Sequence, residues 1–90
     1  MARLGSFSLS YNAIGDEGAS AIANALPNSL TELGLVGCSI GDQGGEAILD
    51  WAKRANGLRI ICIEDNIMSD KLRNQFGSLR DASPSISVFV

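Results

Sequence analysis

One spacing of apolar residues recurs three times in this chain and limits its fold more than any other feature. The middle copy reads LTELGLVGCSI, in which Leu30, Leu33, Leu35, Cys38 and Ile40 are the fixed positions. The same spacing begins 26 residues earlier, in LGSFSLSYNAI, and again 28 residues later, in LRIICIEDNIM. A repeat of this length indicates stacked structural units, because one such unit cannot bury its apolar face alone.

Each copy carries the signals of one strand followed by one helix. The alternation around Leu33 and Leu35 predicts a half-buried strand, since successive side chains of a strand point to opposite faces. Apolar or small residues then recur at helical spacing and predict a helix with one buried face. These helical positions are Ile14, Gly18, Ile22 and Ala25, then Ile40, Gly44, Ile48 and Trp51, then Met68, Leu72, Phe76 and Leu79. We therefore predict an α/β fold with parallel strands on one side and helices on the other.

The pattern LxxLxLxx(N/C)x(I/M) resembles the leucine-rich repeat, and its period with a full helix is similar to the ribonuclease-inhibitor-like subfamily. The resemblance implies a short solenoid, a right-handed β-α superhelix of about three and a half strand-helix repeats with a parallel sheet of about four short strands. We expect one leucine-rich repeat domain over residues 1–90. Its repeats would span about 4–29, 30–57 and 58–85, with a terminal strand at 86–90.

The strand residues that alternate with the buried ones define a candidate contact surface. Serines fill its first strand, whereas apolar residues gather toward the later strands, and an apolar patch on a small protein is typical of a contact surface. The predicted partner-binding residues are Glu32, Gly34, Val36, Ile60, Cys62, Glu64, Val88 and Val90. The alternative stays open that β-branched residues occur here only because they suit strands.

Three aspartates occupy equivalent positions where the predicted helices begin, Asp16, Asp42 and Asp70. Clustered carboxylates can bind hard cations such as Ca²⁺. A negative charge at a helix N-terminus is, however, favoured by about 0.3 to 1 kcal/mol without any metal. We therefore predict a capping role for these aspartates, with no metal site, no cofactor and no catalytic residue.

The single tryptophan and the two cysteines are predicted to be structural. Trp51 occupies an inward helical position, which favours core packing. Cys38 is equivalent to Asn12 and Asn66, where the family resemblance implies a side chain that bonds the backbone of the turn. Cys38 and Cys62 would lie roughly 13 Å apart along the strands, too far for a disulfide. We expect Cys38 to be buried and Cys62 to be exposed.

Charge and residue content exclude several classes of function. The net charge of -3 and the lack of a basic cluster argue against a nucleic-acid partner. The chain has no histidine, which removes the usual base of nucleophilic catalysis, and it has no apolar run of membrane-spanning length. The first residues lack the apolar core of a secretory signal peptide, so we expect a cytoplasmic protein, with export by another route left open.

The resemblance implies a non-enzymatic module that binds another protein through the concave strand face or the strand-to-helix edge. Two alternatives remain open. One is a GTPase-activating type of regulatory protein, which would need an exposed arginine such as Arg59 or Arg73 at a bound nucleotide. The other is a structural fragment of a longer repeat array. Uncovered edge strands could also pair two molecules into a homodimer.

Overall fold

A computed structural model describes residues 5–90 of the chain, and its strands and helices follow the repeated spacing. The elements in chain order are β1 (Ser6–Ser8), α1 (Gly15–Ala25), β2 (Glu32–Gly34), α2 (Asp42–Arg54), β3 (Ile60–Cys62), α3 (Asp70–Gly77), α4 (Leu79–Ala82) and β4 (Ser87–Phe89). The predicted start of the first repeat at Leu4 lies outside the described residues. The predicted alternation of strand and helix is confirmed.

The four strands form one parallel sheet in chain order, β1-β2-β3-β4, as predicted. Phe7 pairs with Leu33, and Leu33 pairs with Ile61, so equivalent residues of successive repeats are neighbours. Leu33 and Ile61 are buried. The fold is therefore a short α/β leucine-rich repeat solenoid, with the sheet on one side of the core and the helices on the other.

The fourth strand lies one residue out of the predicted register. Val88, and not Phe89, pairs with Ile61. The partner of Ile61 in β4 follows it by 27 residues, whereas Ile61 follows its own partner Leu33 by 28. Val88 is 6% exposed and Phe89 is 48% exposed, so the prediction that Val88 faces outward was wrong. A strand has a side-chain period of two, and a shift of one residue therefore exchanges its two faces. Val90 was predicted to lie beside Cys62, but Phe89 pairs with Cys62 instead. Val90 follows the end of β4.

The core lies between the sheet and the helices, and Trp51 is fully buried within it, as predicted. The predicted inward faces of the second and third helices are buried as well. The first helix differs, because Ala25 is exposed while Ala19 and Ala23 are buried. A Cβ atom at Gly44 of α2 would lie 2.9 Å from the Cβ of Ala19, so small residues set the close packing of α1 against α2. The predicted positions Ile14 and Ile22 are half-buried and pack against the core, so the predicted face of the first helix was wrong only at its end, at Ala25.

Asn66 joins the second and third repeats through its amide. Its Oδ1 accepts hydrogen bonds from the backbone N–H groups of Cys38 at 2.9 Å and Ile40 at 3.0 Å. Its Nδ2 donates to the carbonyl of Leu35 at 2.8 Å. The buried Cys38 donates from Sγ to the carbonyl of Leu9 in the first repeat at 3.2 Å. The predicted backbone-bonding role of these two equivalent positions is confirmed.

Two of the aligned aspartates bond the start of the following helix instead of capping their own. Asp16 Oδ1 accepts from the backbone N–H groups of Gly41 at 2.8 Å and Gly44 at 2.9 Å. Asp42 Oδ1 accepts from the N–H of Ser69 at 2.7 Å. Unpaired N–H groups at a helix start need an acceptor, and here the preceding repeat supplies it. A capping role was predicted for these aspartates, but it was not predicted that each would cap the helix of the following repeat.

Candidate functional site

The side chains of the four strands that point away from the core form one surface, which we name the strand face. Its members are Ser6, Ser8, Glu32, Gly34, Ile60, Cys62, Ser87 and Phe89. The face is polar on β1 and becomes apolar on β3 and β4, where Ile60 is half-buried and Phe89 is exposed. Four of the predicted site residues therefore lie on it, and Val36 and Glu64 follow β2 and β3 at the end of the face.

A shallow depression of about 130 Å³ lies in the middle of the strand face. We name it the Gly34 notch, and its lining includes Ser6, Ser8, Glu32, Gly34, Ile60 and Cys62. A Cβ at Gly34 would come within 2.9 Å of the Oγ of Ser8, so the serine hydroxyl of β1 lies against Gly34 and leaves no space for a side chain there. The strand face is therefore slightly concave at this point and open to solvent.

Two carboxylates stand close to Cys62 on this surface. Partial burial raises the pKa of the Cys62 thiol, and the negative charges of Glu64 and Glu32 raise it further. Both glutamates are exposed, and within residues 5–90 neither forms an ion pair with a basic side chain. The middle of the strand face is therefore negative, and the thiol is held in its protonated form.

A second depression, a cleft of about 400 Å³, opens where the strands begin. Its lining is mainly polar and consists of Thr31, Glu32, Arg59, Ile60, Ser85 and Ser87. Glu32 and Ile60 belong to both depressions, so the cleft continues into the Gly34 notch. Arg59 is exposed and lies within the cleft, which gives this end of the surface a positive group.

Sequence reasoning missed three large exposed side chains. Phe89 was missed because the third repeat is one residue shorter than assumed. Tyr11 is 78% exposed and Ile67 is 74% exposed, and both lie in the connections between a strand and the following helix. Each lies next to the repeated Asn position, Asn12 or Asn66, so the alignment of the repeats could have marked them as outward turn residues.

The structure also bears on the other predicted chemistries. In the part of the chain that it describes, no group of three or more His, Cys, Asp or Glu side chains is placed to hold a metal ion. Of the two arginines considered for a GTPase-activating role, Arg73 forms an ion pair with Asp70. Across residues 5–90, every helix is too short or too polar to cross a membrane.

The sequence model of the leucine-rich repeat family matches residues 4–23 and 27–49 of this chain. These matches cover the first repeat and much of the second, and the structure continues the same strand-helix unit into the third. Together they support a leucine-rich repeat protein. Proteins of this family are typically non-enzymatic modules that bind other proteins. A comparison with curated proteins found no match.

Proposed function

We propose that this chain is a protein-interaction module of the ribonuclease-inhibitor-like kind and that its strand face binds a partner protein. The observation that carries the proposal is the adjoining set of Ile60, Cys62 and Phe89, in which Phe89 is exposed and the other two are half-buried. An aromatic anchor beside half-buried apolar groups is a common centre of protein interfaces. The full helices α1 and α2, of 11 and 13 residues, support the subfamily assignment.

The strand face is a better candidate than the strand-to-helix edge because its apolar side chains adjoin one another. Cys62 pairs directly with Phe89 across β3 and β4. Tyr11 and Ile67, in contrast, belong to the first and third repeats, so they are separated by about 10 Å at the usual spacing of strands. Of these two surfaces in the described chain, the strand face is the one on which a partner would gain a continuous apolar contact.

Partner capture with two matched variants tests the proposal. The face variant combines Ile60→Ser with Phe89→Ser, and the control is Ile67→Ser, which removes an apolar side chain from the edge. Each immobilised chain is incubated with the same cell lysate, and retained proteins are quantified by mass spectrometry. We expect at least one protein to be retained by the wild-type chain and by the control, but about tenfold less by the face variant, as loss of an interface anchor predicts.

The same experiment can contradict the proposal. Equal retention by the face variant and the wild-type chain would show that the strand face does not bind the captured protein. Loss in the Ile67→Ser variant alone would assign binding to the edge instead. Trp51 is buried, so its fluorescence shows whether each variant is folded before the capture is compared.

A further inference from the structure

The geometry of the strand face also indicates the chemistry of its partner. We propose that the partner inserts a basic side chain, lysine or arginine, into the Gly34 notch. This inference rests on the proposed function and specifies the central contact that the partner makes.

The register of the sheet places one carboxylate toward each end of the notch. Glu32 pairs with Ile60, and Gly34 pairs with Cys62 one step along the same face. Glu64 follows Cys62 by two residues, which is about 6.6 Å along an extended chain. A cation seated above Gly34 and Cys62 would therefore lie between two negative groups.

The floor of the notch suits the methylene stem of a long basic side chain. Ile60 and Cys62 are half-buried and present apolar surface along the notch. Lysine and arginine commonly lay their methylene groups along apolar surface while the charged end reaches a polar partner. A short acidic side chain would find neither the apolar length nor a positive group within the notch lining.

The charges of the surrounding residues favour the same occupant. Within the described residues, Glu32 and Glu64 have no basic partner in an ion pair, so their charges are available to a ligand. The raised pKa of the Cys62 thiol agrees with this negative potential. Arg59 lines the neighbouring cleft with Glu32 but does not line the notch. An acidic partner group would go to Arg59, outside the notch.

Cys62 allows the potential in the notch to be measured without a known partner. The probes are two methanethiosulfonate reagents of similar size, one with a trimethylammonium group and one with a sulfonate group. In each case the thiolate attacks the sulfenyl sulfur, a mixed disulfide forms and methanesulfinate leaves. Mass spectrometry locates the adduct, and Cys62→Ser is the control for reaction at the buried Cys38.

We expect the cationic reagent to react about tenfold faster than the anionic one at low salt, after each rate is divided by its rate on the urea-unfolded chain. High salt, Glu32→Gln and Glu64→Gln should each reduce this preference. Equal rates, or a preference for the anionic reagent, would overturn the inference and leave the proposed function standing, because that function depends on Ile60 and Phe89.

The captured partner provides the second test. Glu32→Lys combined with Glu64→Lys should reduce its retention by about tenfold or more, since like charges across an interface oppose binding. Glu17→Lys combined with Glu46→Lys changes two exposed helix residues by the same charge and should retain the partner. Equal retention by the two double variants would overturn the inference. If no partner depends on the strand face, the proposed function fails and this inference fails with it.

Discussion

At the scale of single residues, the amide of Asn66 does most to join one repeat to the next. It forms five hydrogen bonds with backbone groups, three of them to the second repeat and two within its own turn. Asn12 is the equivalent residue of the first repeat, but it is exposed, and among residues 5–90 its side chain bonds only the carbonyls of Leu9 and Ser10 in its own turn. The asparagine therefore joins two repeats at position 66 but bonds only its own turn at position 12.

We predict that Asn66→Ala lowers the free energy of unfolding by about 2 to 4 kcal/mol, because the backbone N–H groups of Cys38 and Ile40 lose their acceptor. The matched change Asn12→Ala should cost less than about 1 kcal/mol, as for an exposed polar residue. Urea unfolding followed by Trp51 fluorescence measures both. Equal losses in the two variants would contradict the role assigned to the amide of Asn66.

The Cys62 thiol should titrate at a higher pH in the folded chain than in the unfolded chain. Burial raises its pKa most, followed by the charges of Glu64 and Glu32, and only the thiolate reacts with iodoacetamide. The midpoint of the pH-rate profile should therefore lie above that of the chain in urea, and Glu64→Gln should recover part of the difference. A folded-state midpoint at or below the unfolded one would disprove this description of the thiol environment.

The buried positions of Trp51 and Cys38 could be predicted from the sequence, because helical spacing and alignment of the repeats each identify an inward position. The outward position of Phe89 could not. The outward position of Phe89 depends on the connection before β4, which is one residue shorter than the equivalent connection before β3. No residue in that connection indicates that it is shorter. Burial of Val88, 6% exposed, fixes the register only once the chain is folded.

At the scale of elements, successive helices are joined at their starts. The carboxylate of Asp16 bonds the start of α2, and that of Asp42 bonds the start of α3. Gly44 allows the first of these contacts, because a Cβ there would lie 2.7 Å from the Cα of Asp16. Neither feature follows from one helix considered alone, since equivalent residues of two repeats must first be brought together.

Gly44→Ala should destabilise the protein by roughly 1 to 3 kcal/mol, because the added methyl group displaces backbone of α1 and not only a flexible side chain. Gly77→Ala is the matched change, since the nearest atom would lie 3.9 Å away, and it should be neutral or stabilising by up to about 1 kcal/mol. Thermal unfolding by circular dichroism compares the two. A Gly44→Ala variant as stable as the wild-type chain would contradict the close packing of α1 and α2.

The bond between Asp42 and Ser69 should make stability depend on acid pH. The backbone N–H of Ser69, then its side chain and the nearby charge of Lys71, hold the pKa of Asp42 below its ordinary value of 3.8. The carboxyl of Asp42 therefore takes up a proton more readily in the unfolded chain than in the folded chain. Its contribution to the free energy of unfolding is present above about pH 4 and is lost as the pH falls below that value.

Asp42→Asn removes the titrating group. The stability advantage of the wild-type chain over Asp42→Asn should be largest near neutral pH and should shrink as the pH falls through about 4. Urea unfolding of both chains at several pH values measures the difference. A difference that stays constant with pH would show that the charge of Asp42 does not contribute.

The third helical segment shows a further limit of sequence reasoning at this scale. One helix was predicted for the third repeat, and the structure has α3 and α4, which meet at Ser78. The Oγ of Ser78 donates to the carbonyl of Asn74 four residues earlier, a bond that commonly bends helices. Serine occurs both inside helices and at their ends, so the bend could not be placed from the sequence.

At the scale of the whole molecule, the repeated spacing was sufficient to predict the parallel sheet, the helical layer and the outward side of the first three strands. It was not sufficient to identify the functional part of that surface. The Gly34 notch is lined by residues of β1, β2 and β3, and the apolar end of the strand face depends on the register of β4. Both arise only when different repeats become neighbours. The predicted homodimer through edge strands stays a prediction.

The central claim is that the strand face binds a partner protein, and site-specific photo-crosslinking tests it most directly. Benzoylphenylalanine is introduced in place of Phe89 on the strand face, Ile67 at the strand-to-helix edge or Glu46 on the exposed side of α2. Irradiation in cell lysate should produce a defined adduct from position 89 and none from position 46. A defined adduct from position 67 or 46, with none from position 89, would contradict the claim.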